Sequence, residues 1–439
     1  MNFLKNLFFL ALIASTTLFV ACGDDEETIV NQNCTTLGCP DGFECINEVC
    51  VEITTNCPDT PCPDGFVCEN GTCVSDVVRV TSNVTTDATW TANKTYILAN
   101  RVSITDGATL TIEPGTVIKG EAGTGANSTA LLVARGGMIN ACGTADAPII
   151  FTSVADELSK EDVAAGNFES PNLEPDVNGL WGGVIVLGRA RISVAGNVEE
   201  AQIEGIPTSD PNGLYGGTDD TDNSGTLCYI SIRHGGTNIG DGNEINGLTL
   251  GGVGSGTTIN HVEIVANQDD GIEWFGGTVS VTNAVVWNNG DDAMDTDQSW
   301  AGTLDNFVIV GPAGSCFELD GPEGDYAAGH IMQNGHVIAN PGSEITMSDH
   351  LIDWDPNSIV EMKNISITGI IDNTNQIVGP PSGTPGSSFE NITLDLPMGA
   401  NLADYIDEGV VPAGVSIGNT PLADLDVFGW TWAKRAGGF

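Results

Sequence analysis

Acidic residues recur at a near-constant step in the second half of the chain. Asp269, Asp270 and Glu273 return as Asp291, Asp292 and Asp295, and one further step along Glu318 and Asp320 fall beside Asp295 and Asp297. Carboxylates repeated once per structural unit would stack. Stacked like charges hold a cation, share protons or splay into water. If Ile272, Met294 and Phe317 form an inward apolar column, then Glu273, Asp295 and Glu318 point outward in a line. Two readings follow: a site for calcium or for a cationic group of a substrate, or a solvated acidic face. Trp274, Trp287 and Trp300 lie close to these acids in sequence. Exposed indoles there would make a sugar-stacking surface, and inward ones would fill the core. The same register turns Trp274 inward.

Other residue groups could also carry chemistry. Asp220, Asp222, Ser224 and Gly225 match the early positions of a calcium loop, although Ser231 stands where the bidentate glutamate belongs. Arg233 and His234 precede the acidic units and read either as a proton-transfer pair or as a salt-bridged strand end, and His261 has the same two readings.

The elements that would position these groups repeat as well. From about Val77 the chain is a succession of short β runs separated by Gly, Asn and Asp, with almost no amphipathic helical pattern. In ATLTIEPGTVIK (108–119) the alternation is interrupted at Pro114 and Gly115, as expected of two strands turning a corner. An asparagine followed by a β run recurs at Asn260, Asn283, Asn306, Asn334, Asn364 and Asn391, at intervals of 23, 23, 28, 30 and 27. A parallel solenoid, one unit per turn, accounts for such a period. A sandwich needs tight hairpins, and a propeller needs roughly forty residues per blade.

The segments LTIEPGTVIKG, DAPIIFTS and LWGGVIVLG resemble the opening turns of pectate-lyase-like right-handed β-helices in bacterial surface proteins, and the likeness covers 77–439. IEGIP (203–207), RHGG (233–236), NEINGLTLGGVGSGT (243–257), DDGIEWFGG (269–277) and the final GWTWAKRAGGF resemble a bacterial surface lipoprotein family with this fold. Trp430 and Trp432 are expected to cover the last open turn. Paired aspartates on a β-helix also resemble pectin-degrading hydrolases, which makes Asp291, Asp292 and Asp295 candidate catalytic acids. GDD at 290–292 matches one short motif of those enzymes, but their Arg-Ile-Lys motif is missing, and Gly329-His330 and Gly335-His336 lack the flanking glycine of the hydrolase motif. A calcium-dependent lyase would need a basic side chain near the carboxylates, and the later turns offer Lys363, Lys434 and Arg435.

Of twelve cysteines, eight form a duplicated block: Cys34, Cys39, Cys45 and Cys50 return as Cys57, Cys62, Cys68 and Cys73, each shifted by the same step. The units (34–53 and 54–76) resemble short EGF-like or Dickkopf-like repeats and are too small to bury a useful core. Two disulfides within each unit are expected, in an oxidising compartment, with the pairing order left open. Zinc is disfavoured because the spacing lacks CxxC knuckles. Cys142, Cys228 and Cys316 are expected to be buried small hydrophobes.

The N-terminus reads as an export signal, with Lys5, an apolar run from Leu7 to Val20, and Phe19-Val20-Ala21-Cys22, which resembles a lipoprotein lipobox. That resemblance implies removal of 1–21 and lipidation of Cys22. The acidic run Asp24 to Glu27 follows, so 22–33 reads as a solvated tether, and it is similar to the surface-export signal of some Gram-negative lipoproteins. With 13 Lys and Arg against 59 Asp and Glu, the net charge of -46 disfavours nucleic acid and anionic lipid surfaces as partners and favours cations.

The expectation is therefore an all-β protein: a right-handed parallel β-helix over 77–439 behind a disulfide-rich stalk, lipid-anchored at the outer membrane or cell surface. Its acidic face, meaning Asp269, Asp270, Glu273, Asp297, Glu318, Asp320 and Trp287, would bind a polysaccharide or a surface protein without catalysis. Calcium at Asp220, Asp222, Glu273 or Asp295 would assist, and no organic cofactor is expected. A polysaccharide lyase or glycoside hydrolase is the alternative, and an accessory to an outer-membrane transporter a further one.

Overall fold

The structure is a computed structural model that describes residues 65–237, 245–342, 347–379 and 385–439, together with Cys57, Cys62 and the backbone of Phe43–Ile46 and Val49–Glu52. The chain divides into two compact units, 1–74 and 75–439. In the first unit Phe43–Ile46 pairs antiparallel with Val49–Glu52. Phe66–Glu69 pairs with Thr72–Ser75 around Asn70 and Gly71, both left-handed, the conformation that a tight hairpin turn requires. Disulfides join Cys57 to Cys68 and Cys62 to Cys73, so pairing in the second repeat is interleaved. The expectations for Cys22, Cys34 and Cys39 lie outside the described residues, and only the backbone is described at Cys45 and Cys50.

The second unit is a parallel β-helix, each turn of which contributes up to three strands. Ala88–Trp90, Thr109–Ile112 and Met138–Cys142 start the first face; Thr95–Leu98, Val117–Gly120 and Ile149–Ser153 start the second; Arg101–Ile104, Ala130–Val133 and Val184–Leu187 start the third. At Gly225–Arg233 the first and second faces merge, because the front half of that strand pairs with Met138–Cys142 and the back half with Ile149–Ser153. From there each turn has one long bent strand and one short third-face strand.

A single residue makes the bend. Tyr229, His261, Asn283, Asn306, Asn334, Asn364 and Asn391 each have φ between 49° and 60° within a strand. Asparagine is the non-glycine residue that best tolerates this conformation. Its amides also bond from turn to turn: Asn306 to Asn283 at 2.7 Å, Asn364 to Asn334 at 3.2 Å and Asn391 to Asn364 at 2.9 Å. The spacing therefore located the turns, with one correction. Asn260 pairs with Thr282, so His261, not Asn260, occupies the column, and it is stacked on Tyr229 at 4.1 Å.

Inward side chains from all three faces form one continuous apolar core, including Leu110, Phe151, Trp181, Trp274, Trp300 and Phe317. Two segments lie outside the coil. Residues 189–217 fold over the third face, where Ile192, Ile203, Ile206 and Tyr215 bury Ile185, Leu187 and Phe275. The C-terminal segment lies on the second face, where Phe428, Trp432 and Ala433 bury Val265, Val285, Trp287 and Val308. Trp430 and Trp432 therefore do not cover the last turn as expected. They are drawn back to the middle turns, where Val265, Val285 and Val308 offer outward apolar surface and Glu263 accepts the Ala433 N–H at 2.9 Å. Cys142 and Cys228 also depart from expectation: they are register partners in successive turns and form a disulfide. Cys316 is a buried free thiol.

Replacing Asn364 with valine should lower stability by about 2 kcal/mol, because it combines left-handed strain with loss of the amide bonds. Asn364→Gly keeps the bend and should cost about half as much. Urea unfolding midpoints check the order, and a valine variant as stable as the parent would contradict the account of the bend.

Candidate functional site

The acids stack on the outward side of the third face in the register read from sequence. Glu273 pairs with Asp295, Asp295 with Glu318 and Glu318 with Asp353. Between them Ile272, Met294 and Phe317 point into the core. Strand alternation thus does place the carboxylates outside the coil, but Glu273 and Asp295 do not splay into water, the solvated alternative: Glu273 is 7% exposed and Asp295 8% exposed. The reason is the covering segment 189–217, whose Tyr215 meets Phe275 at 6.1 Å on the strand that carries Glu273. Further along the column Glu318, Asp320 and Asp353 are half-buried. One column of carboxylates therefore runs from beneath the cover out to the surface.

A second acidic column precedes the third-face strands. The Asp270 carboxylate accepts the Asp292 N–H at 2.9 Å, Asp292 accepts the Ser315 N–H, and the Ser315 hydroxyl accepts the His350 N–H at 3.4 Å. Each side chain satisfies a backbone donor of the next turn. Asn267 and Asn289 bind corner carbonyls in the same way, Asn289 reaching the carbonyl of Asp292 at 2.7 Å. Asp269 is half-buried beside this column, and Asp291 is exposed.

The two columns converge at Asp270, Glu273 and Asp295, each of which offers a carboxylate oxygen within 4.8 Å of the others. Asn246 donates to Glu273 from the preceding turn. Among the described residues no basic side chain forms an ion pair with these three acids. Two carboxylates at this separation repel by about 3 kcal/mol at an effective dielectric near 20, so three cannot remain ionised and unaccompanied. Burial first, and neighbouring carboxylates second, hold Asp270, Glu273 and Asp295 well above the usual carboxylate range. Burial likewise pushes Asp297 up to about 7 and Asp320 to about 6. Glu318, buried in part and bonded to Asp292, is pushed up to about 9.

The structure does not gather the other sequence-derived candidates here. Asp220 is held by Arg191, at 2.9 Å from Nε, and Asp222 packs against Gly188 and Gly254 at a corner, its pKa raised by burial. Neither joins Glu273 and Asp295, and an arginine from the covering segment pairs with the Asp220 carboxylate. Trp274 and Trp300 stack on each other at 4.5 Å inside the core. Trp287, 7% exposed, forms a wall of a cleft of about 450 Å3 and meets Trp432 edge to face, so it lacks the open face of a sugar platform. Arg233 is buried against Glu263 at 3.6 Å, beneath Trp432, which is the structural reading of that pair. His330 is buried on Trp300 with its pKa lowered to about 3, and His336 is buried and bonded to Ser366. Lys363 pairs with Glu361 on the long strand, and Lys434 and Arg435 sit on the C-terminal segment.

A profile of the pectate-lyase like beta helix domain matches residues 82–395. The chain belongs to that family. Its right-handed parallel β-helix is thereby shown, and the fold is compatible with carbohydrate-related work. No curated protein and no solved structure matches the chain.

Sequence reasoning missed Asn246, which precedes the acidic repeat and carries no charge. It also missed Arg191, which lies over the Tyr326 ring at 4.7 Å beside a cavity of about 360 Å3 lined by Asn197, Thr218 and Asp325. Asn246 lies in the segment 243–257 but gives no sign there of facing the acids, and Arg191 belongs to no such motif; only the register and the folded-back segment bring them into place.

The raised carboxyls of this β-helix make stability depend on pH with a definite sign. A carboxyl with a folded pKa above its unfolded value stabilises fully below the unfolded pKa, and that contribution is lost as pH rises through the folded value. With divalent ions chelated, the melting temperature should therefore fall between pH 7 and 9, through the values of about 7 for Asp297 and about 9 for Glu318. Asp295→Asn should make the fall shallower. A melting temperature that is flat or rising over that range in chelator would contradict the burial of these acids.

Proposed function

We propose that this protein is a lipid-anchored surface protein whose β-helix binds a glycan or another surface component along the acidic third face, without catalysis and with calcium as helper. The observation that carries the reading is the column itself, which supplies about one carboxylate per turn from Glu273 to Asp353. Among the described residues no lysine or arginine pairs with it, and His350 meets it only at its outer end, 3.2 Å from Asp353. An elongated strip with a repeated donor set suits a polymer. Asp270 and Asp292 are occupied as acceptors for backbone N–H groups of the next turn, which leaves them poorly placed as an acid and base pair. The anchor rests on Cys22 and the acidic run after it, and the membrane is the partner that this anchor implies.

A hydrolase reading has one observation in its favour: half-buried Glu318 is held protonated close to Asp320, as a general acid would be. One experiment separates the two readings. The chain is incubated with acidic and neutral polysaccharides, with calcium or chelator, while binding and new chain ends are followed. Binding that calcium strengthens, with no new ends, is the expected result. Unsaturated ends, or reducing ends that disappear in Asp292→Asn or Glu318→Gln, would overturn the non-catalytic reading.

A further inference from the structure

We infer that Asp270, Glu273, Asp295 and Asn246 bind one divalent cation of the calcium class in a buried site that pins three successive turns. The inference rests on the proposed function only in taking calcium as the helper ion, and glycan binding and this site can fail separately.

The carboxylates alone would not suffice, since acidic clusters are common on a chain of this charge. Two unpartnered oxygens point to a ligand, one within the triad and one outside it. Asp295 Oδ1 is buried without a hydrogen-bond partner, on a side chain within the triad that is 8% exposed. Asn246 Oδ1 is buried and unpartnered as well, on a residue 1% exposed whose amide nitrogen donates to Glu273. Leaving a buried acceptor unmade costs about 1–3 kcal/mol, and a hard cation satisfies carboxylate and amide oxygens together.

Size and donor type select the ion. Opposed ligands of a calcium ion at 2.3–2.6 Å stand about 5 Å apart, and the triad's oxygens all fall within 4.8 Å. Magnesium requires a tighter octahedron and retains its waters, which a buried site with four protein oxygens suits poorly. No histidine or thiolate is in the set, which disfavours zinc and copper. The donors come from three turns: Asn246 before Leu248–Gly251, Asp270 and Glu273 with Ile272–Phe275, and Asp295 within Met294–Asp297. An ion there ties together turns that the carboxylates would otherwise push apart. Asp270 is also shared with the more exposed set Asp269, Asp270 and Asp291, which gives the ion a route from solvent.

The test uses the purified full chain, stripped with chelator and titrated with calcium chloride or magnesium chloride at pH 7.5. Calcium at millimolar concentration should raise the melting temperature by about 3 °C or more and bind at one ion per chain by calorimetry, with magnesium weaker. Asp295→Asn should abolish the shift, whereas Glu318→Gln, one turn further out, should keep it. Asn246→Ala, which leaves every carboxylate in place, should weaken calcium about tenfold, so the site can be tested even if Asp295→Asn folds poorly. No shift and no heat with the parent chain would overturn the site, as would a shift that both Asp295→Asn and Asn246→Ala retain. Glycan binding unchanged by chelator, together with absent calcium binding, would remove this site and the calcium helper, and would leave glycan binding along the acidic face standing. Calcium binding with no glycan bound would do the reverse.

Discussion

Every residue of a parallel β-helix lies against its own equivalent in the next turn, and the rest of this molecule depends on that constraint. Strand spacing near 4.8 Å turns any chemistry repeated once per turn into a column. Amides stacked in this way bond to one another, as Asn306 does to Asn283 and Asn391 to Asn364. Apolar groups merge into one core from Trp90 to Ile392. Carboxylates stacked in the same way repel, and the fold accommodates them by backbone donors at Asp270 and Asp292 and by raised proton affinity at Glu273, Asp295 and Glu318. The proposed cation at the convergence of the columns would relieve what remains.

Much of this register was legible because strand alternation is local. Pairing of Glu273 with Asp295 and Asp295 with Glu318, and the inward turn of Trp274, follow from period-two alternation repeated at a near-constant step. The bend column was legible where asparagine marks it and missed by one position at Asn260, where His261 takes the left-handed conformation. A further column of left-handed corners, at His234, Ala266, Asn288 and Gly311, could not be read, because four different residue types occupy it. Burial of the acids was equally illegible. It comes from residues 189–217, far upstream of the strands that carry Glu273 and Asp295, and no local pattern announces where an insertion folds back. The Cys142–Cys228 disulfide was hidden for the same reason, since a sequence separation of 86 that includes the insertion divides its halves.

The two covering segments divide the outer surface by polarity. On the second face the C-terminal segment buries valines and Trp287 and encloses the Arg233–Glu263 pair, so that side is structural. On the third face the insertion covers the apolar start of the column together with Glu273 and Asp295, leaving Glu318, Asp320 and Asp353 half-buried. The proposed binding strip thereby has a rigid buried end and a wetter end. The family's fold is associated with carbohydrate work, but the described residues of this strip supply acids without the facing lysine or arginine that lyase chemistry requires. The proposed binding role rests on that composition.

The most direct measurement is a crystal structure of the chain grown or soaked with a calcium mimic that scatters anomalously, such as a lanthanide. The account predicts one strong anomalous peak among the oxygens of Asp270, Glu273, Asp295 and Asn246. Density without a peak there, with the three carboxyl groups bonded directly to one another through shared protons, would contradict it.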